Sequence, residues 1–460
     1  MRKILSVIGT TGVGKSNLAV DLCRTLRGQA INSDAMQASQ VYKGLDIITN
    51  KMPLEERHGV THHLMDFLDP EDEYKVTEFK RDATQCIEKL SNENQLPVLV
   101  GGTNYYMQSL LWRNTLIKET NGESDEEEDR SRSRSPSPEI VPELEVLETP
   151  ELYDRLKQVD PIMATKWHVS DRRKIMRSLQ IFHATGKPQS EIIKEQKAQK
   201  ETHGAQPRFK ALVFWLYADP VALYPRLDER VDKMIETGLF EEIKDLRRRV
   251  VAGSITLPGQ ELEKYQRGLW QAIGYKEFDP YFTAVEENTL EEPDTSPKFK
   301  LSELKKIKDE CTERMKAATR RYARRQVQWI RNKFLPSVFD SKGDVLVYLL
   351  DAGDLDAWNT NVQQKAIDVA RAFLEDRPMP DPASFGDVAA KMLSKSDAED
   401  THARVLNWKK HVCPVCITNK GEVAIMNGDL EWEQHKKSRW HRKSSKRKRM
   451  EELTANKPPL

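Results

Sequence analysis

The sequence predicts an α/β fold: a parallel sheet carrying a P-loop, a helical domain inserted into it, and a small C-terminal zinc finger. The first observation is a glycine-rich turn at 9–16 (GTTGVGKS), between an apolar run at 4–8 and a helix predicted over 15–26. The second is the alternation of short apolar runs with segments of helical periodicity. The third is a pair of cysteines followed by a pair of histidines near the C-terminus.

Each further element is predicted from its own pattern. One helix is expected to begin at Thr77 as its N-cap, because Phe79, Ala83, Ile87 and Leu90 share one face. Short apolar runs predict further strands at 30–33, 96–100, 209–217 and 344–351. Helical periodicity predicts further helices at 150–159, 171–184, 219–238 and 301–333.

Changes in composition divide the chain. We expect a first part of the catalytic core at 1–110, a helical insertion at 111–207 and a second part of the core at 208–374. Within the insertion, 119–145 is acidic and then Arg-Ser-rich, which is typical of disorder. Residues 375–405 are expected to be a linker, and 406–460 the zinc finger with a basic tail.

Composition limits the class of protein. The 460 residues are 38% hydrophobic and 32% charged, and no run approaches the roughly 18 apolar residues of a membrane helix. Five cysteines indicate a reducing compartment, and no signal peptide is expected before the first strand. The net charge of +1 hides an acidic run at 123–129 and nine Lys or Arg at 436–449. The basic tail favours binding to nucleic acid or to a nuclear import receptor.

The glycine-rich turn predicts a site for a polyphosphate. Backbone N–H groups and a helix N-terminus would converge on the anion, Lys15 would neutralise its terminal oxygens, and the Ser16 hydroxyl would hold Mg²⁺. The predicted phosphate-binding residues are Gly9, Thr10, Thr11, Gly12, Val13, Gly14, Lys15 and Ser16.

A single acid is predicted to face the same crevice. Asp34 follows a short strand, whereas the strand at 96–100 ends in Gly101, Gly102 and Thr103 without a carboxylate. That absence argues against an ATP- or GTP-hydrolysing motor, which normally holds Mg²⁺ with an Asp at such a strand end. A small-molecule or nucleoside kinase stays open, with Asp34 as its base.

Two pairs of arginines are spaced four residues apart. Arg173 and Arg177 share one face of a predicted helix, and Arg226 and Arg230 share a face of another. A guanidinium stabilises a departing diphosphate well because its charge is fixed and its donors are forked. A solvated helix face explains any single one of these arginines equally well.

The C-terminal cysteines and histidines have the spacing of a metal site. Cys413 and Cys416 are followed, after eighteen residues, by His435 and His441, and four such ligands suit tetrahedral Zn²⁺. The gap exceeds the roughly 12 residues of a DNA-reading finger. His411 fits the ligand pattern less well, and Trp432 and Trp440 are expected to pack in the small core.

Several segments, in order, resemble the tRNA dimethylallyltransferases (tRNA isopentenyltransferases). The C-terminal zinc-type module matches the eukaryotic branch of that family. The segments are GTTGVGKS at Gly9, INSDAMQ at Ile31, YKGLDIITNK at Tyr42, HHLMDFLDP at His62, GGTNYYMQSLL at Gly101, DRRKIMRSLQIFHATGKPQS at Asp171, LYPRLDERVDKMIETGLFEE at Leu223 and QAIGYKEF at Gln271.

The resemblance implies transfer of a dimethylallyl group from dimethylallyl diphosphate to N6 of adenosine 37, beside the tRNA anticodon, with release of diphosphate. The P-loop would then hold the prenyl diphosphate. Asp34 matches the family's general base and Thr103 a residue close to the acceptor base. Either Arg226 or Arg230 matches its diphosphate-contacting arginine.

The resemblance also implies contacts with the tRNA anticodon stem-loop, in three segments. They map onto Asp34, Ala35, Met36 and Gln37; onto Arg173, Lys174, Ile175, Met176 and Arg177; and onto Ala272, Ile273, Gly274, Tyr275, Lys276 and Glu277. An RNA-binding scaffold without catalysis is a further alternative. A monomer is expected in the cytoplasm, with nuclear entry through 446–449 or a mitochondrial form from an alternative start as further possibilities.

Overall fold

The computed structural model describes residues 1–34, 40–72, 74–113, 142–203, 206–255, 268–289, 298–341, 343–394, 410–418 and 423–455. The chain divides into two compact units. The first comprises 1–116, 125–130 and 200–395, and the second 117–124, 131–199 and 396–460. The Arg-Ser-rich segment expected to be disordered lies almost wholly outside the described residues.

The first unit is built on a six-stranded parallel sheet, which confirms the predicted fold class. The strand order is β3-β2-β4-β1-β5-β6. Most central strand residues are buried, as expected where helices cover both faces of a parallel sheet. The strands are β1 (Lys3–Gly9), β2 (Gly28–Asn32), β3 (His62–His63), β4 (Leu96–Val100), β5 (Lys210–Tyr217) and β6 (Val345–Asp351).

Helices cover this sheet and extend the first unit. The predicted first helix has the expected bounds, and the second begins at Val76 with Lys75 rather than Thr77 as its N-cap. The helices are α1 (Lys15–Leu26), α2 (Val76–Asn92), α3 (Asn104–Leu111), α9 (Pro220–Glu236), α10 (Leu239–Val251), α11 (Tyr275–Thr289), α12 (Leu301–Trp329), α13 (Leu335–Phe339), α14 (Gln364–Leu374) and α15 (Asp387–Leu393). Short 3₁₀ turns lie at Glu55–Arg57, Gly268–Gln271 and Pro382–Phe385.

The sheet topology places the glycine-rich turn at the centre of the carboxyl edge. Strand β1 lies between β4 and β5, with Val7 opposite Val100 on one side and Phe214 on the other. Because all six strands are parallel, the segments after β1, β2, β4 and β5 emerge at one edge. Ligands of open α/β sheets bind in the crevice at such an edge.

The two ends of the predicted insertion pair with each other inside the first unit, and we call the paired residues 111–113 and 206–208 the neck. Trp112 and Pro207 form an isolated antiparallel bridge. Arg113 N donates to Gln206 O at 2.9 Å, and Arg208 N donates to Leu111 O at 2.8 Å. The two ends of the predicted insertion are therefore joined by backbone hydrogen bonds.

The helical part of the second unit has its own small core. Its helices are α4 (Pro142–Glu145), α5 (Thr149–Val159), α6 (Pro161–Lys166), α7 (Arg172–Thr185) and α8 (Gln189–His203), the last continuing into the first unit. The core is formed by Leu144, Leu152, Leu156, Ala164, Ile175, Met176 and Leu179. Asp160 is buried and accepts from Met163 N at 3.0 Å and from Ser190 N at 2.8 Å, which fixes two helix starts.

The C-terminal module is a hairpin followed by two helices. Strands β7 (Lys410–Ile417) and β8 (Val423–Asn427) pair antiparallel, and α16 (Gly428–Lys437) and α17 (Arg439–Ala455) follow. Cys413, Cys416 and Ala424 form its buried centre, with Trp432 packed against it. Trp440, which was expected in the same core, is 43% exposed, so that expectation is wrong.

Two expectations about the second half of the core need correction. The helix expected over 301–333 is α-helical only to Trp329 and continues as a π turn over Ile330–Phe334. Of the linker expected at 375–405, the described residues 375–394 pack on the first unit rather than lying free. Tyr348 donates to Pro380 O at 2.6 Å, and Ala389 and Met392 are buried, because this segment covers β6.

No helix among the described residues is long and apolar enough to cross a membrane. The five cysteines are all free thiols.

Candidate active site

The glycine-rich turn lies between β1 and α1, where the sequence predicts it. Gly9, Gly12 and Gly14 all have positive φ, of 147°, 79° and 84°. A Cβ on Gly12 would lie 2.5 Å from Leu227 Cδ2, and a Cβ on Gly14 would lie 2.5 Å from Trp358 Cη2. Glycine is therefore required at both positions for backbone conformation and for space.

The Lys15 side chain is held over the glycine-rich loop by a backbone carbonyl of that loop. Its Nζ donates to Thr10 O at 2.8 Å. Burial lowers the pKa of Lys15 to about 8, with the Asp34 carboxylate opposing that shift and the Arg230 guanidinium adding to it. The Lys15 ammonium is thus short of counter-charge, and a bound polyphosphate would supply it.

The two arginines of α9 have different surroundings. Arg226 Nη1 donates to Ala352 O at 2.7 Å, and its Nη2 donates to Gly353 O, so this side chain ties α9 to the turn after β6. Arg230 Nη1 donates to Thr11 Oγ1 of the P-loop at 2.9 Å. Burial lowers the pKa of Arg230 to about 10, against the opposing effects of Asp34 and Tyr322.

Several polar atoms around the loop are buried without a partner among the described residues. They include Arg230 Nε, Thr10 Oγ1 and Ser33 Oγ. Buried polar atoms are nearly always hydrogen-bonded in native proteins. Orphaned atoms clustered at the carboxyl edge of the sheet therefore indicate groups reserved for a ligand.

Asp34 lies after β2 and is oriented by its neighbours. Its N–H donates to Asn32 Oδ1 at 3.0 Å, and its Oδ1 accepts from Thr103 Oγ1 at 3.0 Å. The carboxylate also interacts electrostatically with Lys15 and Arg230. The structure thus brings together Asp34, Thr103 and the P-loop, as the sequence predicts.

Helix α12 contributes two residues to this crevice that the sequence analysis missed. Tyr322 hydrogen-bonds to Thr103, and burial together with the Asp34 charge raises the pKa of its hydroxyl. Gln326 accepts from Thr11 N at 2.8 Å and donates to Gly102 O at 3.0 Å. They lie one helical turn apart, and the only available signal was a Tyr and a Gln at i, i+4 in a basic helix.

The predicted tRNA-contacting residues are distributed unevenly between surface and interior. Ala35, Met36 and Gln37 lie outside the described residues. In α7, Arg173 and Lys174 are exposed and Arg177 is half-buried, whereas Ile175 and Met176 belong to the helical core. Near the start of α11, Lys276 is exposed and Ile273 half-buried, whereas Ala272, Gly274, Tyr275 and Glu277 are buried. Only the exposed or half-buried members are placed to contact a macromolecule directly.

The C-terminal cysteines and histidines converge on one point. Their ligand atoms all lie within 4.8 Å of one another. His441 Nδ1 is 3.4 Å from Cys413 Sγ, 3.6 Å from Cys416 Sγ and 3.1 Å from His435 Nε2. His411 is occupied elsewhere, bonded to Asp429 at 2.7 Å and stacked on Trp432. The four predicted residues therefore form a metal-binding cluster.

Comparison with known proteins decides the family. The sequence profile of the family described as IPP transferase matches residues 40–333. The chain belongs to this family. It is 37% identical to the tRNA dimethylallyltransferase of Saccharomyces cerevisiae over 97% of this chain and 92% of that protein. To the human tRNA dimethylallyltransferase it is 34% identical, over 97% of this chain and 86% of that protein.

A bacterial relative and a crystal structure complete the comparison. The tRNA dimethylallyltransferase of Anoxybacillus flavithermus is 34% identical over 75% of this chain and 92% of its own length. The crystal structure of a eukaryotic dimethylallyltransferase acting on tRNA matches with a TM-score of 0.76 and 35% identity, covering 99% of both chains. The resemblance to the eukaryotic branch is confirmed, and the chain is a prenyltransferase of this family rather than a kinase.

Proposed function

We propose that this IPP transferase family member transfers the dimethylallyl group of dimethylallyl diphosphate to N6 of adenosine 37 in tRNA, releasing diphosphate. The observation that carries the proposal is the placement of Asp34. Its carboxylate is hydrogen-bonded to Thr103 and lies close enough to Lys15 and Arg230 to shift the pKa of both. A base and two cations for a leaving group therefore face one crevice.

On the donor side, the P-loop and α9 hold the diphosphate. The N-terminus of α1, Lys15 and Arg230 supply positive potential to the oxygens that gain charge as the allylic C–O bond breaks. The unpaired Arg230 Nε and Thr10 hydroxyl are donors available for the same oxygens. Of the two candidate arginines we assign Arg230 to the diphosphate, because Arg226 is committed to Ala352 and Gly353.

On the acceptor side, Asp34 accepts the N6 proton as the C–N bond forms. The adenine N6 is a weak nucleophile because its lone pair is delocalised, and a positioned carboxylate contributes typically about 10²–10⁴-fold. Thr103 donates a hydrogen bond to one oxygen of the Asp34 carboxylate, which leaves the other oxygen to accept the proton of the adenine N6. The target base must leave its stack to reach this carboxylate.

Two metals fit the residues present. Ser16 lies in the first turn of α1 beside the loop, where its hydroxyl is a hard oxygen ligand suited to Mg²⁺. Mg²⁺ bound there would neutralise diphosphate oxygens. For the C-terminal cluster, tetrahedral Zn²⁺ bonds imply ligand separations of about 3.3–3.8 Å. The separations around His441 are close to that range, so Cys413, Cys416, His435 and His441 fit structural Zn²⁺.

The tRNA anticodon stem-loop is the proposed macromolecular substrate. Arg173, Lys174 and Lys276 are exposed cations of the kind that contact an RNA backbone. The exposed Lys446, Arg447 and Arg449 on α17 offer either further RNA contacts or a nuclear import signal.

The test is a transfer assay with labelled dimethylallyl diphosphate and tRNA. Label should enter tRNA with Mg²⁺ present, and excess ATP should compete weakly. Asp34→Ala should abolish turnover while tRNA binding is retained. An RNA-binding scaffold would lose nothing on this substitution. Absence of label in tRNA with the wild-type enzyme under every metal condition would refute the proposal.

A further inference from the structure

Gln326 connects the two sides of the crevice. Its side chain is 4% exposed, although glutamine is usually a surface residue. Its Oε1 accepts from Thr11 N in the P-loop at 2.8 Å, and its Nε2 donates to Gly102 O at 3.0 Å. One amide thus bonds to two segments that are separated by almost the whole first part of the core.

The orientation of this amide is fixed by its partners. A backbone N–H can only donate and a backbone C=O can only accept, so Oε1 must face Thr11 and Nε2 must face Gly102. A flipped amide would lose both bonds. The side chain therefore has one hydrogen-bonded arrangement.

Helix α12, which carries Gln326, is fixed in place by burial and by an ion pair. Ala323 is buried in the core under the sheet, and Arg320 forms an ion pair with Asp228 of α9. One turn before Gln326, Tyr322 hydrogen-bonds to Thr103. Among the described residues, helix α12 thus hydrogen-bonds to the P-loop through Gln326 and to the Gly102–Thr103 turn through Tyr322 and Gln326.

We propose that Gln326 is a positioning residue that sets the separation between the diphosphate held by the P-loop and the acceptor adenine held near Asp34 and Thr103. The inference rests on the proposed assignment of the two sides of the crevice. Transfer needs the allylic carbon and N6 at about 3–3.5 Å, and a misplacement of 1 Å can cost about 100-fold. Gln326 acts through Thr11 and Gly102 and needs no contact with either substrate.

Two variants and a matched control test this role. Gln326→Leu removes both hydrogen bonds at similar volume. Gln326→Glu keeps an acceptor for Thr11 N but loses the donor to Gly102 O. Thr319→Val is the control, since Thr319 is buried on the same helix and, in the part of the chain that the structure describes, its hydroxyl bonds only Met315 O of that helix, at 2.9 Å.

The readout separates positioning from binding. With both substrates saturating, the single-turnover transfer rate should fall about 10–100-fold in Gln326→Leu and Gln326→Glu. The dissociation constant for tRNA should stay within about threefold of wild type, and the half-saturating prenyl diphosphate concentration should change less than the saturated rate does. Thr319→Val should keep the wild-type rate even if its melting temperature falls.

Other outcomes refute the inference. A saturated rate within twofold of wild type for both variants would do so, as would a loss explained by weaker binding of one substrate. A rate loss in Thr319→Val matching that of Gln326→Leu would show a general effect of helix stability. If Gln326→Leu does not fold, Gln326→Glu decides alone. Failure of the wild-type enzyme to prenylate tRNA would instead refute the proposed function.

Discussion

The indole of Trp358 lies directly against Gly14 of the P-loop. Trp358 Cη2 and Cζ3 would lie 2.5 and 2.9 Å from a Cβ built on Gly14. The same indole hydrogen-bonds to Asp21 of α1, as does Gln363. The segment after β6 thus packs against the loop at Gly14, and Leu227 of α9 packs against it at Gly12.

Replacing Trp358 should loosen the P-loop. In Trp358→Ala we expect the half-saturating concentration of prenyl diphosphate to rise about tenfold, because the loop N–H groups are no longer held in place. Steady-state assays at saturating tRNA measure this. Phe385→Ala is the matched control, since Phe385 is a half-buried aromatic that packs on Tyr348 of β6. Equal effects of the two substitutions would contradict a specific role of Trp358.

The two arginines of α9 should give opposite phenotypes. Arg230→Ala should lower kcat/KM for prenyl diphosphate by about 10²-fold, since it removes a donor to the leaving group. Arg226→Ala should lower the free energy of unfolding by about 1–3 kcal/mol, because Ala352 O and Gly353 O lose their donor. Kinetics and denaturant titration of both variants check this. The assignment fails if Arg226→Ala is the more damaging of the two to catalysis in fully folded protein.

The lowered pKa of Lys15 predicts a pH dependence in the free enzyme. Above pH about 8 Lys15 loses its charge, so kcat/KM for prenyl diphosphate should decline as the pH rises through that value. Lys15→Arg should move this decline to higher pH. A pH profile whose alkaline limb is unchanged in Lys15→Arg would assign the limb to another group.

Lys15 also affects folding stability in the absence of substrate. Its pKa is about 8 in the folded protein and 10.5 in a model peptide. Between these values the unfolded chain holds more protons, so the contribution of Lys15 to stability rises with pH in this window. Lys15→Met should therefore raise the melting temperature of the free enzyme at neutral pH and abolish transfer. A lower melting temperature for Lys15→Met would contradict the charge shortage inferred here.

Removing metal should affect the C-terminal module alone. Its hydrophobic centre is small, being formed mainly by Cys413, Cys416 and Ala424, so the metal must supply much of its stability. A strong chelator, or Cys413→Ser, should remove about one Zn²⁺ per chain and unfold the module while the sheet melts as before. Elemental analysis and thermal melting measure the two effects. Cys86→Ser, at a half-buried cysteine outside the cluster, should retain the metal.

Local patterns in the sequence were enough to predict the strands of the sheet and the position of the P-loop. Strand β4 and helix α1 have the predicted bounds, because a short apolar run and a glycine-rich turn leave few alternatives. The metal cluster was equally accessible, since four ligands of matched type at suitable spacing are rare by chance. Asp34 was found because it follows a buried strand of a parallel sheet, whereas Thr103 was found through the resemblance to the family; the two side chains are hydrogen-bonded.

Contacts made over long sequence separations could not be read from those patterns. Gln326 reaches Thr11 across 315 residues, and a glutamine in a basic helix reads as solvent-exposed. Arg226 and Arg230 cannot be distinguished by their spacing. Their roles differ because Arg226 bonds the turn after β6, whereas Arg230 bonds Thr11 of the P-loop. Residues 375–405 were predicted to be a linker because of their Pro, Asp and Ser content, although the described part of this segment packs on β6, where Tyr348 donates to Pro380 O.

The backbone neck at Leu111–Arg113 and Gln206–Arg208 makes the catalytic sheet tolerant of what the intervening chain contains. The two ends are already joined by hydrogen bonds. Doubling the length of the chain between them raises the entropic cost of loop closure by only about 0.6 kcal/mol. The acidic and Arg-Ser-rich segment between these ends therefore adds little to the entropic cost of bringing them together. If the insertion holds tRNA as proposed, the neck is also the place at which its helical module could be exchanged for another without cutting the sheet.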